Sequence, residues 1–342
     1  MNRFAWASAR TVSEAAAAAT TVADAMTALP DAARAGATSV VVAGGMELLD
    51  LLKENLLTPT MLVSLRHTPG LDAVVEENGG LRVGAMVTLA TLADHPVLRQ
   101  RYSALADAVR GSASPQIRNV ATLGGNLLQR PRCWYFRAAE YRCLRKGGGH
   151  CFAITGENQY HAIFDNRPCA IVHPSTAATS LVALGASVEL ANAEGVVRRV
   201  LLEDFFVSTD TDIQRENDLN PHEILTAILL PAPPAGLRMA HLRLGQKDSF
   251  DWPLADVAVA LELDADGRCQ RAAIVLGAAA PVPYRAKAAE RLLKGARIDE
   301  TSAKEAGHAA LSSATPLAKN GYKLPLFEAL VRRAILAAAE SQ

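Results

Sequence analysis

Asn119-Val120-Ala121-Thr122-Leu123-Gly124-Gly125-Asn126 sets two adjacent glycines between a hydroxyl and an amide side chain. Glycine lets a backbone approach a ligand closely, so such a loop can wrap a pyrophosphate with N–H donors while Thr122 and Asn126 add side-chain bonds. The plainer reading is a glycine-rich turn closed by asparagine. Upstream, Val41-Val42-Ala43-Gly44-Gly45-Met46-Glu47-Leu48 repeats the theme. Ser39 to Val42 is a short β-branched strand, Ala43-Gly44-Gly45 a turn, and Met46 to Asn55 a helix whose N-terminal dipole favours an anion. Taken alone, an ordinary strand-to-helix turn is the stronger reading here. Two such loops in one chain point to a bulky phosphate-bearing cofactor without identifying it. Neither G-x-G-x-x-G nor a Walker sequence occurs, which removes the two commonest nucleotide fingerprints.

Helices and strands mix around these loops. Thr11 to Leu29 reads as a helix capped by Ser13 and ended by Pro30. Leu81 to Gly84 reads as a strand. Thr88 and Thr91 open a helical stretch that breaks at His95-Pro96 and resumes to Arg110. Gly111 to Gln116 is a loop of small and polar residues. His173-Pro174-Ser175 starts a helix that stops at Gly185, and Ser187–Ala191 with Val196–Val200 forms a hairpin. Ile224 to Leu230 is a strand, after which Pro231, Pro233 and Pro234 mark a domain boundary. Beyond them, strands at Asp256–Leu263 and Arg271–Leu276 precede helices at Arg285–Leu293, Thr301–Leu311 and Leu326–Glu340, an α+β pattern.

The 342 residues suggest two domains at roughly 150 residues each. Half of them are hydrophobic, enough for more than one core, and this composition excludes intrinsic disorder. The 35 Lys+Arg balance 35 Asp+Glu, which argues against a nucleic-acid binder working through a broad basic field. No apolar run of about 18 residues occurs, so no membrane insertion is expected. The opening MNRFAWASARTVSE lacks the layout of a secretory signal. No G-x-S-x-G or H-E-x-x-H hydrolytic motif occurs either.

Gln129 to Cys169 looks foreign to its surroundings. It has no sustained period, a run of Gly147-Gly148-Gly149, many cations and a cluster of aromatics. It reads as an irregular segment tied down by something other than a core. Four of the five cysteines lie here, spaced Cys133-x9-Cys143-x7-Cys151-x17-Cys169. Four thiolates can hold a tetrahedral zinc or an iron–sulfur cluster. The spacing has neither the C-x2-C knuckle nor a tight ferredoxin run, so scattered buried cysteines stay open as the bland reading. Arg132, Arg137, Arg142, Arg145 and Lys146 would offset thiolate charge, or form a solvated basic loop. Cys269 stands alone on a strand as a small buried residue. His161 is either a cofactor contact or a hydrogen-bonded structural histidine. His173 does structural work at its helix start.

Together these segments resemble the FAD-binding medium subunit of the molybdenum hydroxylases, the family of xanthine dehydrogenase, carbon monoxide dehydrogenase and aldehyde oxidoreductase. The family's A-G-G-T-x-L loop is matched by Ala43 to Leu48, with Met46 in place of Thr or Asn. Its A-T-x-G-G-N loop is matched in full by Ala121 to Asn126. The cysteine segment is similar to an insertion that carries a 4Fe-4S cluster in a subset of these subunits. The similarity runs through Arg132-Cys133-Trp134-Tyr135-Phe136-Arg137 and Tyr160-His161-Ala162-Ile163.

The resemblance implies the FAD-binding fold shared with vanillyl-alcohol oxidase. Residues 1–230 would bind FAD in two subdomains, about 1–57 and 58–230, with the insertion at about 129–170. A C-terminal α/β flavoprotein domain would span 235–342. The pyrophosphate would sit on backbone donors of Gly44, Gly45, Gly124 and Gly125, helped by Thr122 and Asn126. Val41, Val42, Glu47, Leu48, Ala121 and Leu128 would line the same site. The loop Ala113-Ser114-Pro115-Gln116-Ile117 would border the flavin, and Leu225 would pack against it. Arg243 stands where the family often has lysine, with Lys247 nearby. Cys133, Cys143, Cys151 and Cys169 would ligate the cluster.

The implied activity is electron transfer. A molybdopterin-bearing large subunit would oxidise the substrate, and a small subunit with 2Fe-2S clusters would pass electrons to FAD and on to an external acceptor. The complex would be cytoplasmic, or periplasmic should a partner carry the export signal. Three rivals stay open: a 4-hydroxybenzoyl-CoA reductase-like enzyme, a stand-alone flavin oxidase and a zinc-stapled scaffold.

Overall fold

A computed structural model of the chain describes residues 2–27, 38–247 and 249–341. The first unit holds β1 (Ala5–Ser8), α1 (Val12–Ala18), α2 (Val22–Thr27), β2 (Ser39–Val42), α3 (Met46–Lys53) and β3 (Met61–Ser64). Its three strands are parallel in the order β1-β3-β2. The first expected helix is two, separated where Thr20 bridges Val40, and its cap is Thr11 rather than Ser13. Its expected end at Leu29-Pro30 lies outside the described residues. Its central strand is β3, which lies just beyond the limit expected at about 57.

The middle unit starts with the hairpin β4 (Val74–Glu77) and β5 (Gly80–Gly84). Then come α4 (Leu89–Asp94), α5 (Pro96–Arg101), α6 (Ser103–Gly111), α7 (Pro115–Arg118) and α8 (Leu123–Leu127). The segment that looked foreign is irregular: α9 (Trp134–Arg137) and a 3-10 turn at Leu144–Lys146 are its regular pieces. The unit ends with α10 (Thr176–Ala183), β6 (Ser187–Asn192), β7 (Val197–Leu201), α11 (Leu202–Phe205) and β8 (Glu223–Leu230). Its five strands form an antiparallel sheet, β4-β5-β8-β6-β7.

The C-terminal unit comprises β9 (Leu237–Leu244), β10 (Ala255–Leu263), β11 (Cys269–Gly277), β12 (Tyr284–Arg285), α12 (Lys287–Leu293), α13 (Glu300–Ala309) and α14 (Lys323–Glu340). Its sheet is antiparallel, β12-β11-β10-β9. Alternation on β10 shows why it is buried on both faces. Ala258 and Ala260 join the middle unit's core with Leu105, Val109 and Leu181, while Val257, Val259 and Leu261 join Phe327, Val331 and Ile335 of α14.

Candidate functional site

The two glycine loops meet in the fold. β2 delivers Ala43-Gly44-Gly45 to the start of α3, and Gly45 takes a left-handed conformation, φ 79°, that favours glycine. The second loop is stitched under β5: Gly124 N–H donates to Ala85 O at 2.9 Å, Leu123 N–H to Val87 O at 2.9 Å, and Leu89 N–H to Ala121 O at 2.9 Å. The loops touch so closely that a Cβ on Gly44 would lie 2.0 Å from Val120 O. Between them opens a cleft of about 520 Å³, within the range of small-molecule and cofactor sites.

The loops do different work there. Gly45 offers no side-chain cap, so the first-turn N–H groups of α3 remain for a ligand. The second loop spends its donors on itself. Thr122 caps α8 by accepting from Gly125 N–H at 3.1 Å, and Gly124 N–H is already engaged. The Gly124 and Gly125 N–H groups, expected to face a pyrophosphate, thus both have partners within the chain. Their absent side chains matter instead, since a Cβ on Gly124 would lie 2.8 Å from Ala85 Cβ and 2.9 Å from Leu225 Cδ2. Asn126 Oδ1 accepts from Ser175 Oγ at 2.6 Å, leaving the amide nitrogen as the side chain's other polar atom.

The cleft is lined by Val41 to Leu48, Ala113, Ile117, Ala121, Thr122, Gly124 to Asn126, Leu128, Leu225 and Arg243. Ser114 instead caps α7 by accepting from Ile117 N–H, and His161 lies elsewhere. Ala113 holds φ 51°, an uncommon conformation for a residue with a side chain, and Arg118 donates to its carbonyl at 2.6 Å. Arg243 donates to Gly111 O and, at 2.7 Å, to Asp251 O, bracing the C-terminal unit against the end of α6. Lys247 is exposed. The sequence reading missed Phe250 and Trp252, both exposed at the cleft, with the Arg132 guanidinium 5.1 Å from the Trp252 ring. Two solvent-facing aromatics close together were the available signal.

The four clustered cysteines line one small cavity, together with Arg145 and His161. All are free thiols. Burial pushes the Cys133 thiol up to about 11. Cys169 donates to Cys151, which lowers the Cys151 thiol and raises its own. His161 Nε2 is 3.2 Å from Cys133 Sγ, and burial, with Lys323 behind it, lowers its pKa to about 4, so the ring is neutral. Among the described residues, no three His, Cys, Asp or Glu side chains converge to hold a metal ion.

The insertion is tied down at both ends. At its start, Glu47 of α3 pairs with Arg132 at 2.6 Å and Arg137 at 2.7 Å. At its end, the α13–α14 connection grips it: Asn320 Nδ2 donates to His161 O and Ala162 O at 3.1 and 3.0 Å, and the buried Lys323 Nζ donates to His161 O and Ala278 O at 3.1 and 2.6 Å. The cations read as one group thus separate. Arg132 and Arg137 serve Glu47, Lys146 donates to Ala138 O at 2.5 Å, Arg142 is exposed, and Arg145 is buried at the cysteines.

Residues 2–233 match the family model described as the FAD binding domain in molybdopterin dehydrogenase. The chain belongs to that family. Residues 240–338 match the carbon monoxide dehydrogenase flavoprotein C-terminal domain. The chain is 35% identical over 305 residues to the aldehyde oxidoreductase FAD-binding subunit PaoB of Escherichia coli, covering 88% of this chain and 91% of that protein. It is 28% identical over 301 residues to the carbon monoxide dehydrogenase medium chain of Afipia carboxidovorans, covering 86% of each. The solved carbon monoxide dehydrogenase of Hydrogenophaga pseudoflava superimposes with a TM-score of 0.72 at 25% identity, over 98% of this chain and 97% of that one.

The chain is therefore an FAD-binding oxidoreductase subunit, with the α+β fold read from its sequence. The observed cleft fits the dinucleotide: an uncapped helix N-terminus faces a loop packed closely enough to exclude a side chain at Gly124. No described helix is long and apolar enough to cross a membrane.

Proposed function

We propose that this chain is the electron-transfer subunit of a molybdenum-dependent hydroxylase, binding FAD in the cleft and a 4Fe-4S cluster on Cys133, Cys143, Cys151 and Cys169. The similarity to an aldehyde oxidoreductase subunit favours an aldehyde-oxidising complex. The partners in this reading are a molybdopterin-bearing large subunit and a small subunit with 2Fe-2S clusters, and the acceptor is external. FAD, when bound, supplies a carrier that accepts electrons and passes them on. The residues here bind and orient it. The N-terminus of α3 would hold the pyrophosphate, Gly44 and Gly124 let the two loops pack closely, and Ala113, Ile117 and Leu225 would border the flavin.

One observation carries the cluster reading. Four free thiols share a small cavity with a buried arginine whose Nε and Nη2 have no partner among the described residues. Thiolates and the sulfide of a cluster are the negative groups such a cavity suits. Visible spectra and iron and flavin analysis of the anaerobically reconstituted chain test it. Cys143→Ser should lose iron and the broad absorption while retaining FAD; full iron retention in that variant removes Cys143 from the ligand set.

A further inference from the structure

We propose that Arg145 is the electrostatic determinant of the cysteine cavity, raising the reduction potential of the cluster held there. This rests on the cluster reading above. It concerns the cation that the fold sets beside the four cysteines, among several the local sequence supplies.

The backbone shows how Arg145 is turned in. Cys143 opens a tight knuckle in which Gly148 and Lys146 N–H groups both donate to Cys143 O at 2.9 Å, and Leu144 N–H donates to His150 O at 3.0 Å. Gly147 sits at φ 77°, and a Cβ on Gly148 would lie 1.8 Å from Arg142 O. The glycines thus close the knuckle, with Arg145 2% exposed inside it and Arg142 in solvent outside.

The charges around Arg145 do not cancel. Glu216 Oε1 accepts from Arg145 Nη1 at 2.5 Å, and the same oxygen accepts from Arg130 Nε at 3.1 Å and Nη2 at 2.9 Å. Arg130 is also 2% exposed and donates its Nη2 to Gln214 O at 2.6 Å. One buried carboxylate therefore serves two buried guanidiniums. Among the described residues one positive charge is left uncompensated, and it is Arg145 that keeps Nε and Nη2 unpartnered. An unpaired buried cation is costly, so the fold is complete only with negative charge beside it. The cavity it borders is lined by the four cysteines. A fixed buried charge with few screening groups favours the more negative, reduced state of an adjacent cluster. Arg142, one residue from Cys143 but in water, is screened.

The test is a redox titration of the full chain, reconstituted anaerobically with ferrous iron and sulfide and followed by visible absorption and electron paramagnetic resonance. Arg145→Gln should shift the cluster potential downward, while Arg145→Lys and Arg142→Gln stay near the parent value. An unshifted Arg145→Gln, or an equal shift from Arg142→Gln, overturns the proposal while leaving the cluster reading intact. A parent chain that takes up no iron overturns both. Should Arg145→Gln fail to load, loading of Arg145→Lys supports a charge requirement, and failure of both variants assigns Arg145 a role of shape and rejects the proposal.

Discussion

Adding one methyl group at Gly44 should expel FAD. The new Cβ would lie 2.0 Å from Val120 O, where ordinary contacts begin at 3.4 Å, and the obstacle is backbone that no rotamer change can move. The two loops must part by roughly 1 Å, and overpacking of this kind costs about 1–3 kcal/mol in stability. The same displacement moves the start of α3 relative to the second loop. A charge-assisted hydrogen bond lost from the pyrophosphate is worth about 1.5–3 kcal/mol, so FAD affinity should fall by roughly ten- to 150-fold. Gly125→Ala is the matched control. Its Cβ meets only Thr122 Oγ1, at 3.0 Å, a contact a slight shift relieves. The assay is flavin content on purification, then FAD titration of the apoprotein by fluorescence quenching. A Gly44→Ala protein with parental FAD affinity and thermal midpoint refutes the reasoning, as does a Gly125→Ala protein that loses flavin equally.

Glu47→Ala removes the shared partner of Arg132 and Arg137, both largely buried, and should lower unfolding free energy by about 2–3 kcal/mol. Urea denaturation at neutral pH checks this, and an unchanged midpoint shows that the clamp contributes nothing. His173 is buried, and burial lowers its pKa to about 3. The unfolded chain, titrating near 6.5, takes up this proton first. The contribution is therefore complete above pH 6.5 and lost progressively toward pH 3, by about 2 kcal/mol between pH 6.5 and 5. His173→Phe should flatten that part of the acid dependence; an identical pH profile contradicts it.

The cleft was more legible than its mechanism. Strand β2, the turn and α3 follow from β-branched residues running into two glycines, and these local signals survive folding. Strands β1 and β3 escaped because four-residue runs carry too few alternations to show a period. Ser13 reads as a cap from residue type, but Thr11 has the extended backbone and accepts from Glu14 N–H. The broken helix at Ala19–Thr21 reflects a bridge to Val40, a contact outside any local window.

The chain order of residues determined the paired-glycine loops, the irregular insertion, its thiols and the α+β class, since turns, caps and periodicities act over a few neighbouring positions. Tertiary structure decided which donors face the cleft. The Gly124 N–H is given to Ala85 and the Gly125 N–H to Thr122, whereas the first turn of α3 has no side-chain cap. It also decided which cation meets the cysteines. Arg132, Arg137, Arg142 and Arg145 are equivalent as letters; Glu47, solvent and Glu216 sort them. Partners for charges and hydrogen bonds are chosen across tens of residues by how the chain packs, and burial then sets what each pairing is worth.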